Sequence, residues 1–309
     1  MKLAAIDIGS NAARLLITEA SAVGGNKTSF AKVSLTRVPL RLGFDVFDTG
    51  KISPHKINLL LYTMKAYVNL MHANEVKYLK ACATSAMRDA ANSAEIIESV
   101  KNETGIGIEI ISGSDEASFI YENHIAENLD AEHSYLYIDV GGGSTELTFF
   151  SNGKLAFKDS FNIGTIRLLK NKVSEKAWAE MKDNIKGKTK GHKAVTAIGS
   201  GGNINKVQSL SGRKDTKPLS LDLLRDYYKE LSNVSVEDRI RVYNLREDRA
   251  DVIVPALQIY VNVMKWAGAT EIYVPKIGLA DGLVQHLWEE VNASGHVPEI
   301  SLDKDNDEP

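Results

Sequence analysis

Asp139 ends the apolar run Tyr135 to Ile138, and beyond Val140 come Gly141, Gly142 and Gly143 without a break, then Ser144, Thr145 and Glu146. Three consecutive glycines have no side chain to pack, so their use lies in what the bare backbone can approach. Successive N–H groups of a tight turn converge on an anion, and hydroxyls and carboxylates at its rim handle protons or a divalent cation. An ordinary hairpin turn is the competing reading. Further along the chain lie three more candidates. In Ser112-Gly113-Ser114-Asp115-Glu116 a strand gives way to a helix. Carboxylates there complement the helix dipole, and Glu116, beside the small Ala117, is also placed to orient a water. Thr84, Ser85 and Arg88 follow another strand end, as phosphate contacts or as a helix cap and a surface charge. Gly199, Gly201 and Gly202 bound a strand-to-helix loop suited to a distal phosphate or a nucleotide.

The elements that must position these residues are repeated. Residues 3–17, LAAIDIGSNAARLLI, again run from an apolar strand to an aspartate, Asp7, then to Gly9, Ser10 and Asn11 and a second apolar run from Leu15. Two copies of strand, Asp, x, Gly, small polar, strand imply two similar halves. The expected fold is α/β, two actin-like (ribonuclease H-like) domains facing each other across a cleft that holds the phosphate. The domains are expected at 1–126 and 127–291, with the terminal helix placed to pack back on the first and a disordered polar tail at 292–309. Opening strands are expected at 3–20 and 28–38, with a Gly24-Gly25 turn between them, a loop over 38–53, then a long helix over 53–74 begun by Ser53 and Pro54. A strand at 77–83, a helix at 93–103 capped by Asn92 and a strand at 108–111 complete the first half. Polar residues 127–134 make the crossing. The second half continues with a hairpin turn at 152–154, a helix at 174–186, a strand at 193–198, helices from 220, a strand at 271–274 and the terminal helix.

Composition bounds the function. The chain has 309 residues, enough for two cores, with 43% hydrophobic and 25% charged residues and a net charge of −3. No global basic field announces nucleic acid, so any polyanion must be met by local charge. The lone cysteine, Cys82, sits in an apolar run and reads as core packing in a reducing compartment. No basic, apolar leader or membrane-length apolar run is seen, and the expected location is cytoplasmic.

Four segments in this order resemble the exopolyphosphatase and guanosine pentaphosphate phosphatase (Ppx/GppA) family, from Leu3 to about Leu287. AAIDIGSNAARLLI is similar to its first phosphate motif, ATSAMRDAAN to its strand-end arginine motif, ISGSDEA to its catalytic-glutamate motif and IDVGGGSTEL to its second phosphate motif. The resemblance implies that Glu116 activates the attacking water. It implies that Asp139 and Glu146 attend a divalent cation, Mg²⁺ or Mn²⁺, and that Arg88 reaches substrate phosphate. Gly9, Ser10 and Asn11, with Gly141, Gly142, Gly143, Ser144 and Thr145, match the phosphate cradle. Asp7 either contacts the metal or orients a loop. The implied reaction is release of terminal orthophosphate from polyphosphate. Longer relatives add C-terminal helical domains, so short chains are the expected substrate.

The chain departs from the pattern at Ala12 and Ser118, where the family carries Ser and Arg. It departs again at Pro275 and in Gly278-Leu279-Ala280-Asp281-Gly282, where the usual arginine is absent. That loss removes a positive charge, so the choice of anion does not carry over. Three alternatives stay open: hydrolysis of guanosine pentaphosphate, a sensor that binds guanosine penta- or tetraphosphate without turnover, and a small-molecule kinase, which would need an aspartate base. No membrane partner is implied, and the apolar helices after 220 offer a homodimer face.

Overall fold

The structure is a computed structural model that describes residues 1–22, 28–121, 133–192, 194–214 and 216–294. Two compact units divide the chain, one of Met1–Ile111 with the residues from Leu279 on, the other Ser112–Gly278. Where the sequence places the boundary at 126/127, the contacts divide between Ile111 and Ser112. The cause is helix α5 (Gly113–Tyr121), which packs on strands of the second unit's sheet. The terminal helix α13 (Leu279–Ser294) packs on strands of the first unit and carries the chain through 292–294 as helix. The remainder of the polar tail lies outside the described residues, as do the Gly24-Gly25 turn and residues 127–132 of the crossing.

The first unit's sheet has strands β1 (Lys2–Ile8), β2 (Ala13–Ala22), β3 (Thr28–Val38), β4 (Tyr78–Ala83) and β5 (Glu109–Ile110), in the order β3-β2-β1-β4-β5. β1 runs antiparallel to β2 and parallel to β4. Buried Leu3, Ala4, Ala5 and Ile6 make β1 the centre of this core, as expected of a strand covered on both faces. Helix α1 (Leu42–Thr49) occupies the segment expected as a loop. Leu42, Gly43, Val46 and Phe47 recur at helical spacing and are buried, a pattern too short to stand out beside Gly43 and Gly50. The Ser53 hydroxyl accepts from the Lys56 amide at the start of helix α2 (Pro54–Ala73). Helix α3 (Ser85–Asp89) precedes α4 (Ser93–Thr104). Asn92 holds the cap position of α4, but its amide instead clamps both backbone groups of Ile52, at 3.0 and 2.9 Å.

The second unit repeats this plan. Strands β6 (Ser134–Val140), β7 (Thr145–Ser151), β8 (Lys154–Phe161), β9 (Val195–Ser200), β10 (Leu219–Ser220) and β11 (Glu271–Tyr273) lie in the order β10-β11-β9-β6-β7-β8. β8-β7-β6-β9-β11 reproduces β3-β2-β1-β4-β5 in both order and direction. Helices α6 (Thr165–Leu169), α7 (Glu175–Thr189), α8 (Gly202–Leu210), α9 (Leu221–Ser232), α10 (Val236–Tyr243), α11 (Glu247–Ala250) and α12 (Ile253–Ala267) complete it. The apolar residues of α12, considered above as a dimer face, are core of this unit.

Candidate active site

The repeat puts one hairpin turn in each unit. In the second unit the Gly141 amide donates to the Ser144 carbonyl at 2.9 Å; in the first, Gly9 donates to Ala12 at 3.0 Å. The carbonyls of each turn are taken by the start of the helix that follows the third strand. Arg41 and Gly43 donate to Asn11 and Ser10 at 2.9 and 2.8 Å, while Thr165 and Ile166 donate to Gly141 and Gly142 at 3.0 and 2.8 Å. Arg167 Nε adds a bond to the Gly143 carbonyl at 2.6 Å. None of the described hydrogen bonds uses the N–H of Gly142, Gly143 or Ser144. With its carbonyl oxygens committed and these donors not, the loop has the polarity an anion requires. Gly164 makes this docking possible: a Cβ there would stand 2.5 Å from the Gly142 oxygen.

Beside the loop, three carboxylates converge. Glu116 on α5, Asp139 on β6 and Glu146 on β7 each bring an oxygen to within 4.8 Å of the others. Glu116 and Glu146 are only 8% and 2% exposed. Strand register explains the second pair, since Asp139 and Glu146 are direct cross-strand partners. Gly113 explains the approach of Glu116. A Cβ at 113 would meet Ser160 Oγ at 2.2 Å, so only glycine lets the start of α5 lie against β8. Ser160 in turn donates to Glu146 Oε1 at 2.9 Å. From the other side Gly201, at φ 106°, turns the chain so close that a Cβ would lie 3.0 Å from Asp139 Oδ1. Burial, then the negative charge of Asp139, pushes the Tyr260 phenol above its ordinary value. Tyr260 donates to the Ser200 carbonyl next to that turn.

Like charges so close, two of the three buried, repel and lose hydration, and a cation offsets both. An all-oxygen donor set suits a hard divalent ion such as Mg²⁺ or Mn²⁺. These residues therefore fit the metal that the resemblance implies.

The other candidates are placed as follows. Asp7 lies in the first unit, where Arg14 Nη1 donates to its carboxylate at 2.7 Å. Ser10 shares a hydroxyl hydrogen bond of 2.8 Å with Ser85. Arg88 donates to the Ile111 carbonyl at 2.8 Å and so ties down the end of its own unit. Gly199 lies inside β9 rather than in a loop, and its missing side chain makes room for Ile272. Gly202 opens α8 under the Arg249 guanidinium, which donates to Asn203 Oδ1 at 3.2 Å. Ser118, where the family carries Arg, accepts from Lys158. Arg249, Ser160 and Ser200 escaped sequence reasoning, because only strand register and helix packing bring them here.

Two mixed sheets, each built on the same hairpin and clothed by helices, define an α/β protein of the actin-like ATPase fold. The Ppx/GppA phosphatase family profile matches residues 20–290, and the chain belongs to that family. It is 30% identical over 252 residues to the bifunctional 3-dehydroquinate synthase/phosphatase of Fusobacterium nucleatum. That match covers 78% of this chain and 35% of that protein, so the chain spans about a third of its length. It is 24% identical over 305 residues to exopolyphosphatase 1 of Mycobacterium bovis, covering 92% of this chain and 87% of that protein. The crystal structure of an exopolyphosphatase from Cytophaga hutchinsonii matches with a TM-score of 0.77 at 23% identity, over 95% of this chain and 98% of that one. No helix among the described residues is long and apolar enough to cross a membrane.

Proposed function

We propose that the protein hydrolyses the terminal phosphoanhydride bond of inorganic polyphosphate and releases orthophosphate. The observation that carries this reading is the convergence of Glu116, Asp139 and Glu146 beside a glycine loop in which the N–H groups of Gly142, Gly143 and Ser144 serve none of the described hydrogen bonds. A phosphoanhydride is already activated, so the protein has mainly to neutralise spreading charge and align a water. Asp139 and Glu146 would hold Mg²⁺ or Mn²⁺, which when bound supplies positive charge to the phosphate oxygens. Gly142, Gly143 and Ser144 donate their amides to the terminal phosphoryl group. Glu116 orients the water and takes its proton as the water oxygen bonds to phosphorus and the bridging oxygen leaves. Gly9, Ser10, Asn11 and Arg88 are assigned to further phosphates on the strength of the family motifs they match. The exopolyphosphatase relative supports polyphosphate as the substrate.

The test is phosphate release from a short polyphosphate with Mg²⁺, native against Glu116→Gln. Loss of the base predicts a fall of roughly a hundredfold or more. Equal rates would remove Glu116 from its role. No release by either protein would overturn the hydrolase reading.

A further inference from the structure

Strand register sets four polar residues side by side across the second sheet: Ser160 opposite Glu146, Glu146 opposite Asp139, and Asp139 opposite Ser200. Ser160 already donates to Glu146. Ser200, at the other end of the row, does not have such a use. It is 5% exposed, and its hydroxyl has no hydrogen-bond partner among the described residues. A buried hydroxyl left unpaired costs free energy, so a fold that keeps one at the edge of a charged site calls for an explanation. The surroundings supply it. Ser200, Asp139, Glu146, Thr148 and Ala117 line a cavity of about 10 Å³, room for one water-sized or ion-sized occupant. Gly201 follows at φ 106°, and Tyr260 fixes the Ser200 carbonyl, so the backbone that carries the hydroxyl is held from both sides.

We propose that Ser200 supplies a neutral oxygen ligand to the divalent cation held by the carboxylate cluster. The proposal rests on the reading that the cluster holds a metal. A hydroxyl among carboxylates adds a donor without adding negative charge, and it keeps the donor set entirely oxygen, which suits Mg²⁺ and Mn²⁺ over softer ions. Ser200 thereby does for the cation what Ser160 does for Glu146: it fills a vacant direction from the neighbouring strand.

The experiment is Mn²⁺ binding by titration calorimetry and electron paramagnetic resonance, with thermal unfolding in chelator and in excess Mn²⁺. The proteins compared are native, Ser200→Ala, Ser200→Thr and Asp139→Asn. Ser200→Ala is expected to bind Mn²⁺ roughly tenfold more weakly or worse, and Ser200→Thr, which keeps the oxygen, to bind within about threefold of native. In chelator Ser200→Ala should melt no lower than native, because only an unpaired hydroxyl has gone, whereas its stabilisation by Mn²⁺ should shrink. A merely structural serine gives the opposite pattern, a lower melting point in chelator with Mn²⁺ affinity unchanged. Native-like Mn²⁺ affinity in Ser200→Ala, with loss in Asp139→Asn, overturns the role of Ser200 and leaves the metal reading standing. Mn²⁺ binding that is absent from native, or equal in native and Asp139→Asn, overturns both.

Discussion

Replacing Gly113 by alanine tests the geometry of the site where ordinary helix rules predict the opposite outcome. Alanine is favoured over glycine in a helix interior by about 1 kcal/mol, and at the first position of α5 propensity still favours Gly113→Ala, by less than that. The new Cβ, however, would lie 2.2 Å from Ser160 Oγ and 2.4 Å from Ser160 Cβ. Carbon atoms in contact sit at about 3.5–4.0 Å, so α5 must retreat from β8 by roughly 1 Å or more. Overpacking of this kind costs about 1–3 kcal/mol, which cancels or exceeds the propensity gain. Glu116 lies three residues on in the same rigid helix and moves with it, away from Asp139 and Glu146. A displacement of about 1 Å at a reacting group costs on the order of a hundredfold in rate.

The assay is phosphate release and thermal unfolding for Gly113→Ala, Ser160→Gly and the double variant. Ser160→Gly removes both clashing atoms and with them the bond to Glu146, so the comparison is a cycle. In the Ser160→Gly background the alanine should cost no more than about twofold in rate, as expected once the two sites no longer interact. Full activity with a raised melting temperature in Gly113→Ala would refute the argument. So would an equal loss in both backgrounds, since the clash would then not be the cause.

Charge and burial set three further outcomes. Two unit charges within 4.8 Å of each other repel by about 3 kcal/mol or more at an effective dielectric of about 20. Asp139→Asn should therefore raise the melting temperature in chelator by roughly 6 °C or more and abolish the increment given by Mg²⁺. A fall in chelator would show that the carboxylates do not strain the fold. Burial, then the charge of Glu109, pushes the Cys82 thiol from 9.0 up to about 12. Between those values the folded chain keeps a proton that the unfolded chain has released, so stability falls as pH rises through this range, and Cys82→Ala should flatten the fall. A thiol reagent at pH 8 should find no reactive cysteine in the native protein and one after unfolding; reaction of the native protein would contradict the burial.

The repeat was legible because a hairpin writes itself linearly. Asp7-x-Gly9 and Asp139-x-Gly141 are adjacent letters, and each apolar run before them is a central strand. The same repeat held information that local patterning hid. α1 follows β3 as α6 follows β8, and each takes an equivalent carbonyl of the preceding turn, Ser10 in one and Gly142 in the other, yet the eight residues of α1 around Gly43 read as loop. Glu116 was legible as a type of residue in a type of place, a carboxylate at a strand-to-helix junction. Its companions Ser160 and Ser200 were not, because cross-strand register is a property of the sheet. Arg249 reached Gly202 only through the folding of α11 against α8, for which no local spacing exists.

The duplication also bears on what Asp7 does. In both hairpins the aspartate faces one cross-strand partner, Asp7 opposite Arg14 and Asp139 opposite Glu146. Burial raises the Asp7 carboxyl above its ordinary value while Arg14 pulls it back, through a bond of 2.7 Å. The first hairpin thus carries its cation in its own sequence. In the second, a carboxylate stands where that guanidinium would be, and Glu116 adds another. A carboxylate facing a carboxylate, with Glu146 buried, gains from a bound divalent cation what Asp7 gains from Arg14. On the reading proposed above, Asp7, paired with Arg14, orients its loop, and the carboxylates of the second unit hold the metal.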